Sequence, residues 1–225
     1  MDIAVLGTGA VGRSVAGGLA RIGHSVTIGT RDPGATLART EPDQMGNPPF
    51  ATWHADHGGI TLTTYADAAA GAELVVLAGN GNAALDMLTA AGAEHLAGKV
   101  LLDITNPLDF SAGFPPTLFV KDTDSLGEQV QAAFPEARVV KSLNTLTAPL
   151  MVDPGLLGEA TTVFVSGDDA AAKATVTEIL TGLGHQDVID LGGIETARGV
   201  EMWLPLWLRT MGALGTGMFN IKVVR

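Results

Sequence analysis

The opening stretch, Met1 to Arg31, constrains this chain more than any other. Asp2 to Leu6 (DIAVL) is a short apolar run of the kind that forms a buried strand. Gly7-Thr8-Gly9-Ala10-Val11-Gly12 follows at once, and apolar residues then recur at helical spacing from Val11 to Ile22. His24 to Gly29 (HSVTIG) reads as a second strand. Strand, glycine turn, helix and strand at this spacing make a dinucleotide-binding βαβ unit. Gly7 permits the tight turn, Gly9 lets the backbone approach a pyrophosphate, and Gly12 lets the helix pack on the strand. Thr8, Ala10 and Val11 complete the cradle, where the free N–H groups and positive end of the helix hold phosphate charge.

The end of the second strand selects the nucleotide. In NAD enzymes an acid about 20 residues beyond the glycines accepts hydrogen bonds from the ribose 2′-OH. That position falls near Thr30, with Arg31 next. A hydroxyl and a guanidinium suit a 2′-phosphate, which the arginine fork meets with charge-assisted hydrogen bonds. The reading is NADP(H). A shift of one residue would instead bring Asp32 to the ribose.

With 225 residues, 46% hydrophobic and 16% charged, the chain can bury a sizeable core. A net charge of −11 argues against a nucleic-acid or anionic-membrane surface. The absence of cysteine excludes disulfides, thiolate metal sites and cysteine nucleophiles. His54 and His57 lie beside Asp56 in a polar connection over 32–59. Two histidines without a clear third ligand read as loop residues, so no metal site is expected; the loop is also a candidate lid over the cofactor. Met1 runs straight into the first strand with no basic leader, so a cytoplasmic protein is expected. Met202 to Ile221 is largely apolar but carries Pro205, Arg209 and Asn220. A charge at the centre of a membrane span is costly, so this stretch is expected to be a buried or dimer-interface helix. A homodimer follows from its apolar character.

Further strands are expected at Ile60–Thr64, Glu73–Ala78, Lys99–Ile104 and Arg138–Leu143, with helices at Tyr65–Ala72, Ala83–Leu96 and Ser125–Phe134. The alternation gives a doubly wound parallel (Rossmann) sheet over residues 1–145, the NADP-binding domain. Residues 108–123 read as irregular. Residues 146–225 hold two more strands (Thr161–Ser166, Gln186–Leu191) and helices at Asp168–Leu183 and Ile194–Ile221. They are expected to form a smaller, helix-rich C-terminal domain for substrate binding and dimerisation. Open α/β sheets bind ligands at the carboxyl ends of their strands, which selects Ala78, Gly79 and Asn80 after one strand and Thr105, Asn106 and Pro107 after the next.

No catalytic constellation stands out. Tyr65, the single tyrosine, lacks a lysine four residues on, and no lysine occurs from Gln186 to Ile221. Hydride transfer between two bound rings needs stacking and orientation rather than a protein nucleophile. Lys141 reads as a strand-end structural lysine or an anion contact. Arg198 and Arg209 are candidates for the anionic tail of a second substrate, or solvated charges. Trp203 and Trp207 share a helix face, for core or dimer packing or to wall a ring pocket.

Three blocks carry a resemblance: IAVLGTGAVGRSVAGGLARIGHSVTIGTR, VVKSLNTLTAP, and ARGVEMWLPLWLRTMGALGTGM with the terminal NIKVV. Together they resemble the coenzyme F420-dependent NADP oxidoreductase family. The last block also resembles the reductase domain of the six-transmembrane metalloreductases, which passes electrons from NADPH through flavin to iron. The resemblance implies hydride transfer between NADP(H) and the deazaflavin F420 or a related flavin. It implies 2′-phosphate contacts from Thr8, Thr30 and Arg31, and a deazaflavin ring beside Leu143-Asn144-Thr145-Leu146, over the nicotinamide. The family pattern has histidine where this chain has Asn144, whose amide would hydrogen-bond a ring carbonyl. The alternatives are an NADPH-dependent ferric or flavin reductase and a non-catalytic NADP-binding regulator.

Overall fold

The computed structural model describes residues 1–42 and 46–225. The opening unit forms as the glycine spacing requires, with β1 (Asp2–Leu6), α1 (Ala10–Arg21) and β2 (Ser25–Thr30). α2 (Pro33–Ala38) and α3 (Phe50–Ala55) lead to β3 (Thr61–Thr64). α4 (Tyr65–Gly71), β4 (Leu74–Leu77), α5 (Ala84–Ala91), α6 (Ala93–Leu96) and β5 (Val100–Asp103) follow. Next come β6 (Leu108–Asp109), β7 (Thr117–Leu118), α7 (Leu126–Ala133) and β8 (Arg138–Ser142). The last part contains α8 (Ala148–Val152), β9 (Thr162–Ser166), α9 (Ala170–Gly182), β10 (Asp187–Gly192), α10 (Ala197–Met202) and α11 (Leu204–Leu214).

Eight strands form one sheet in the order β10-β9-β8-β5-β4-β1-β2-β3. From β8 to β3 every neighbouring pair is parallel. β9 runs antiparallel to β8, and β10 runs parallel to β9. The sheet thus continues through the expected boundary at 145/146, and the later residues supply its far edge as well as α8 to α11. The two faces are built by strict alternation along β1. Ile3 and Val5 join a core with Val15 and Leu19 of α1, while Ala4 and Leu6 join one with Ala68 of α4 and Leu88 of α5. Helices on both faces leave a crevice beyond the carboxyl ends of β1 and β4, where the winding reverses.

Three segments differ from their sequence expectation, each for a local reason. The helix expected over 83–96 breaks at Gly92, whose φ of +91° ends α5 before α6 begins. Residues 108–123 include a small antiparallel hairpin, β6 with β7. The terminal helix does not reach Ile221: it stops at Leu214, with Gly215 left-handed behind it. The chain then lies along β9, where the Thr162 N–H donates to Ile221 O at 2.9 Å and the Asn220 amide donates to Thr162 O at 3.0 Å. No helix among the described residues is long and apolar enough to cross a membrane.

His185, between α9 and β10, gives the fold a pH dependence. Its ring is buried, Nε2 donates to Met151 O at 3.0 Å, and buried Nδ1 has no partner. Burial pushes its pKa below the ordinary 6.5, outweighing the hydrogen bond to Met151. The unfolded chain therefore takes up the proton first, so stability is full above about 6.5 and falls as pH drops toward the lower folded value. Urea titrations from pH 7.5 to 5 should show this loss, and the slope should flatten in His185→Gln. An unchanged slope in the variant would assign it to other groups.

Candidate functional site

The glycine turn is shaped by contacts that side chains would block. Gly7 has φ +133°, and a Cβ there would lie 2.6 Å from Ala78 O. A Cβ on Gly12 would lie 2.1 Å from Gly7 O, so the first turn of α1 packs directly on β1. Gly9 is different: nothing lies within 4 Å of its Cβ position. Gly9 is also the N-cap of α1, and no side chain caps that end. The first N–H groups of the helix thus remain for an anion, which the helix end favours electrostatically.

At the end of β2 the side chains divide. Thr30 is buried, its Oγ1 2.9 Å from Thr36 Oγ1, which itself donates to Asp32 O at 2.8 Å. The Thr30 proton is therefore used on Thr36, and Thr30 does not offer the 2′-phosphate donor expected of it. Asp32 does not turn to the ribose either. Its carboxylate accepts the Ala35 N–H at 2.9 Å and caps α2. Arg31 is exposed beside Tyr65. Burial pushes the Tyr65 hydroxyl above its ordinary pKa, and the Arg31 charge partly offsets this.

Two cavities meet at Thr8 and Gly9. One, about 650 Å³, is bounded by Arg13, Thr36, Arg39 and Phe50, so the 32–59 connection forms its wall. Residues 43–45 of that connection lie outside the described residues. Arg13 braces this wall: its guanidinium donates to Thr8 O at 2.8 Å and to Pro48 O at 2.5 Å. The nearby histidines bond to backbone, His54 Nε2 to Ile60 O and His57 Nδ1 to Trp53 O, both at 2.8 Å. Among the described residues no three His, Cys, Asp or Glu side chains converge as metal ligands would.

The second cavity, about 610 Å³, runs along the carboxyl ends of β1, β4 and β5. Gly7 to Val11, Ala78 to Asn80, Asn106 and Leu146 line it, as the strand-end rule predicts. Tyr65, Met87, Leu108, Phe110 and Met151 also line it. These five come from a helix start, a helix interior, the hairpin and α8, and carry no motif that marks them in the sequence. Among the described lining residues Tyr65 is the only ionisable side chain. Gly12, Thr30, Arg31, Pro107 and Asn144 do not line this cavity: Gly12 and Thr30 are buried in the scaffold, and Asn144 is held behind the wall.

A buried polar scaffold fixes that wall. Lys141 Nζ lies 2.9 Å from Asp103 Oδ2 and 2.8 Å from Glu201 Oε1, with all three side chains buried. Burial alone would lower the Lys141 pKa, but the two carboxylates outweigh it and hold the ammonium above its ordinary value. Asp103 Oδ1 accepts the Thr105 N–H at 2.8 Å and its hydroxyl at 2.7 Å. Glu201 accepts the Leu126 and Gly127 N–H groups at 2.8 and 3.0 Å, anchoring α7. The Asn144 amide donates to Asn106 Oδ1 at 3.0 Å and to Val200 O at 3.1 Å. Both its hydrogens are thus occupied, and Asn144 does not present the donor expected for a ring carbonyl. Leu143 adopts φ +60°, a left-handed conformation held by this surrounding network. Arg198 is also occupied, binding both Glu128 oxygens at 2.8 and 2.5 Å. Trp207 stacks on Phe219 with centroids 5.3 Å apart, and neither it nor Trp203 lines the cleft.

Comparisons with known proteins bear on the family and the fold. A family model described as "NADP oxidoreductase coenzyme F420-dependent" matches residues 2–107. A crystal structure from Arthrobacter sp. FB24, provisionally named an F420-dependent NADP-reductase, is 64% identical, with TM-score 0.97 and 100% of both chains covered. Metalloreductase STEAP3 of Rattus norvegicus is 28% identical over 218 residues, which make up 95% of this chain and 39% of that protein. The chain thus spans about two fifths of that relative's length. A reductive aminase from Aspergillus terreus, solved with NADPH and ethyl levulinate, is 20% identical with TM-score 0.65, covering 94% of this chain and 62% of the other. That likeness is one of fold.

Proposed function

The chain belongs to the coenzyme F420-dependent NADP oxidoreductase family, and from that premise we propose that it transfers hydride between NADP(H) and a deazaflavin or flavin ring. The family makes it an NADP-binding oxidoreductase, and its residues fit the nucleotide. The uncapped start of α1 would hold the pyrophosphate, the open space at Gly9 would admit it, and Arg31 would hold the 2′-phosphate, while Asp32 is turned away as a helix cap. When bound, the nicotinamide supplies the hydride or takes it up.

One observation carries the choice of chemistry. The wall of the 610 Å³ cleft is apolar, amide and hydroxyl, with Tyr65 its one ionisable side chain among the described residues. Such a wall would suit two flat rings stacked face to face; among the described residues it offers no lysine, histidine or carboxylate to move protons for a carbonyl or imine substrate. The residues act by positioning. Thr105 is fixed by Asp103, Asn106 is fixed by Asn144, and Leu146 and Met151 add apolar lining.

The test is NADPH oxidation by the purified protein with F420, FMN, FAD and a ferric chelate as acceptors under identical conditions. Turnover with F420 above all others is the expected result. Turnover with FMN or iron but not F420 would transfer the protein to the flavin or ferric reductase alternative. Tight NADPH binding with no turnover would favour the regulator.

A further inference from the structure

We propose that the hairpin arm over residues 108–119 is the outer wall of the acceptor site, taking the flat apolar face of a fused-ring acceptor against Phe110. The inference deepens the hydride-transfer reading and rests on it. Seven phenylalanines occur in the chain, and three of them (Phe110, Phe114 and Phe119) fall in this one arm. They are 52%, 69% and 41% exposed, whereas Phe50 and Phe134 are buried. Aromatic side chains clustered in the open mark a binding surface.

The position of the arm says what binds there. Its base is tied to the strand ends that form the cleft. Leu108 N–H donates to Asn106 O at 2.9 Å, Phe119 N–H to Pro107 O at 3.0 Å, and the Asn82 amide to Leu108 O at 3.3 Å. A Cβ on Gly81 would lie 2.0 Å from Asn106 O, so the β4 end also packs directly on the arm's root. The arm therefore stands at a fixed place over the cleft, and Leu108 and Phe110 line the same cavity as Gly79 and Thr105. Soft, apolar side chains of Met87, Leu146 and Met151 line the same cavity. Methionine sulfur and a phenylalanine face suit a planar aromatic ring. They offer nothing to a hydrated ferric chelate, so the arm selects a ring over a metal complex.

The test uses the whole protein saturated with NADP⁺ and titrates F420, and separately FMN, following quenching of the ring fluorescence, with NADPH turnover measured in parallel. Phe110→Ala should raise the dissociation constant of the ring about 3- to 10-fold and raise the acceptor KM with it. NADPH affinity should fall by less than ring affinity, because the phosphate contacts proposed at the start of α1 and at Arg31 do not involve Phe110. Phe110→Trp, which keeps a flat face, should restore ring binding. Phe114→Ala, a change at a largely exposed tip, should give a smaller loss of the same sign. Unchanged ring binding in Phe110→Ala with wild-type turnover intact would overturn the arm proposal alone. Ring binding that depends on Phe110 without turnover of either ring would support the arm and overturn hydride transfer. A change of oligomeric state in Phe114→Ala with ring binding unaltered would overturn the proposal and assign the arm to contact between copies.

Discussion

Replacing Lys141 with methionine should destabilise the protein by about 3–5 kcal/mol, the usual result of removing one partner from a buried ion pair. The reason lies in the charge count. Among the described residues Lys141 is the single cation between Asp103 and Glu201, and all three side chains are buried. Methionine keeps the volume and removes the charge, so two carboxylates face each other without a counterion. For a chain of this size the loss corresponds to a fall in Tm of roughly 6–20 °C. Glu201→Gln should cost less, because Lys141 and Asp103 then remain a neutral pair and an amide oxygen can still accept from the start of α7. Chemical denaturation of both variants checks the order. A loss under about 1 kcal/mol in Lys141→Met would mean that water or protons reach the carboxylates, since an unpaired buried charge costs more than that. The same variant should also weaken nucleotide binding, because Asp103 is what holds Thr105 at the cleft.

This cluster also shows where the sequence stops being informative. The strands and the glycine turn were legible because their signals are local: five apolar residues, then glycines at fixed offsets, then a helical period. The cleft residues Ala78 to Asn80 and Asn106 were legible because a parallel strand always delivers its carboxyl end to the same edge. Lys141 was ambiguous because its partners lie 38 residues before it, in β5, and 60 after it, in α10, and only the fold brings them together. Asp32 posed a different difficulty. A carboxylate at that position can serve a ribose or a helix start, and the backbone that follows decides between them: Pro33 in the first turn begins α2 and claims the side chain as its cap. Thr30 was selected by its offset from the glycine turn and Asn144 by the family resemblance, yet neighbouring groups already use their donors. The arm over 108–119 carries no periodicity to read, since its strands are two residues each; its signal is the density of phenylalanine.

Arg31→Ala should weaken NADPH binding about 10- to 100-fold, the range set by losing hydrogen bonds to a charged group. It should leave NADH binding within about twofold. The side chain is exposed, so the change leaves the core intact and the effect belongs to the ligand. With net charge −11 the protein offers no general attraction for the doubly charged 2′-phosphate, so a local guanidinium carries more of the discrimination. Raising ionic strength should narrow the gap between wild type and variant, because an exposed pair is screened. Asp32→Ala separates the two readings of that carboxylate. As a cap its loss should cost about 1 kcal/mol of stability and leave NADH affinity unchanged, whereas a ribose ligand would weaken NADH and spare the fold. Equal, small losses for NADPH and NADH in Arg31→Ala would make Arg31 a surface residue and move the 2′-phosphate toward the cavity of Arg13 and Arg39, where Thr8 and Gly9 already open.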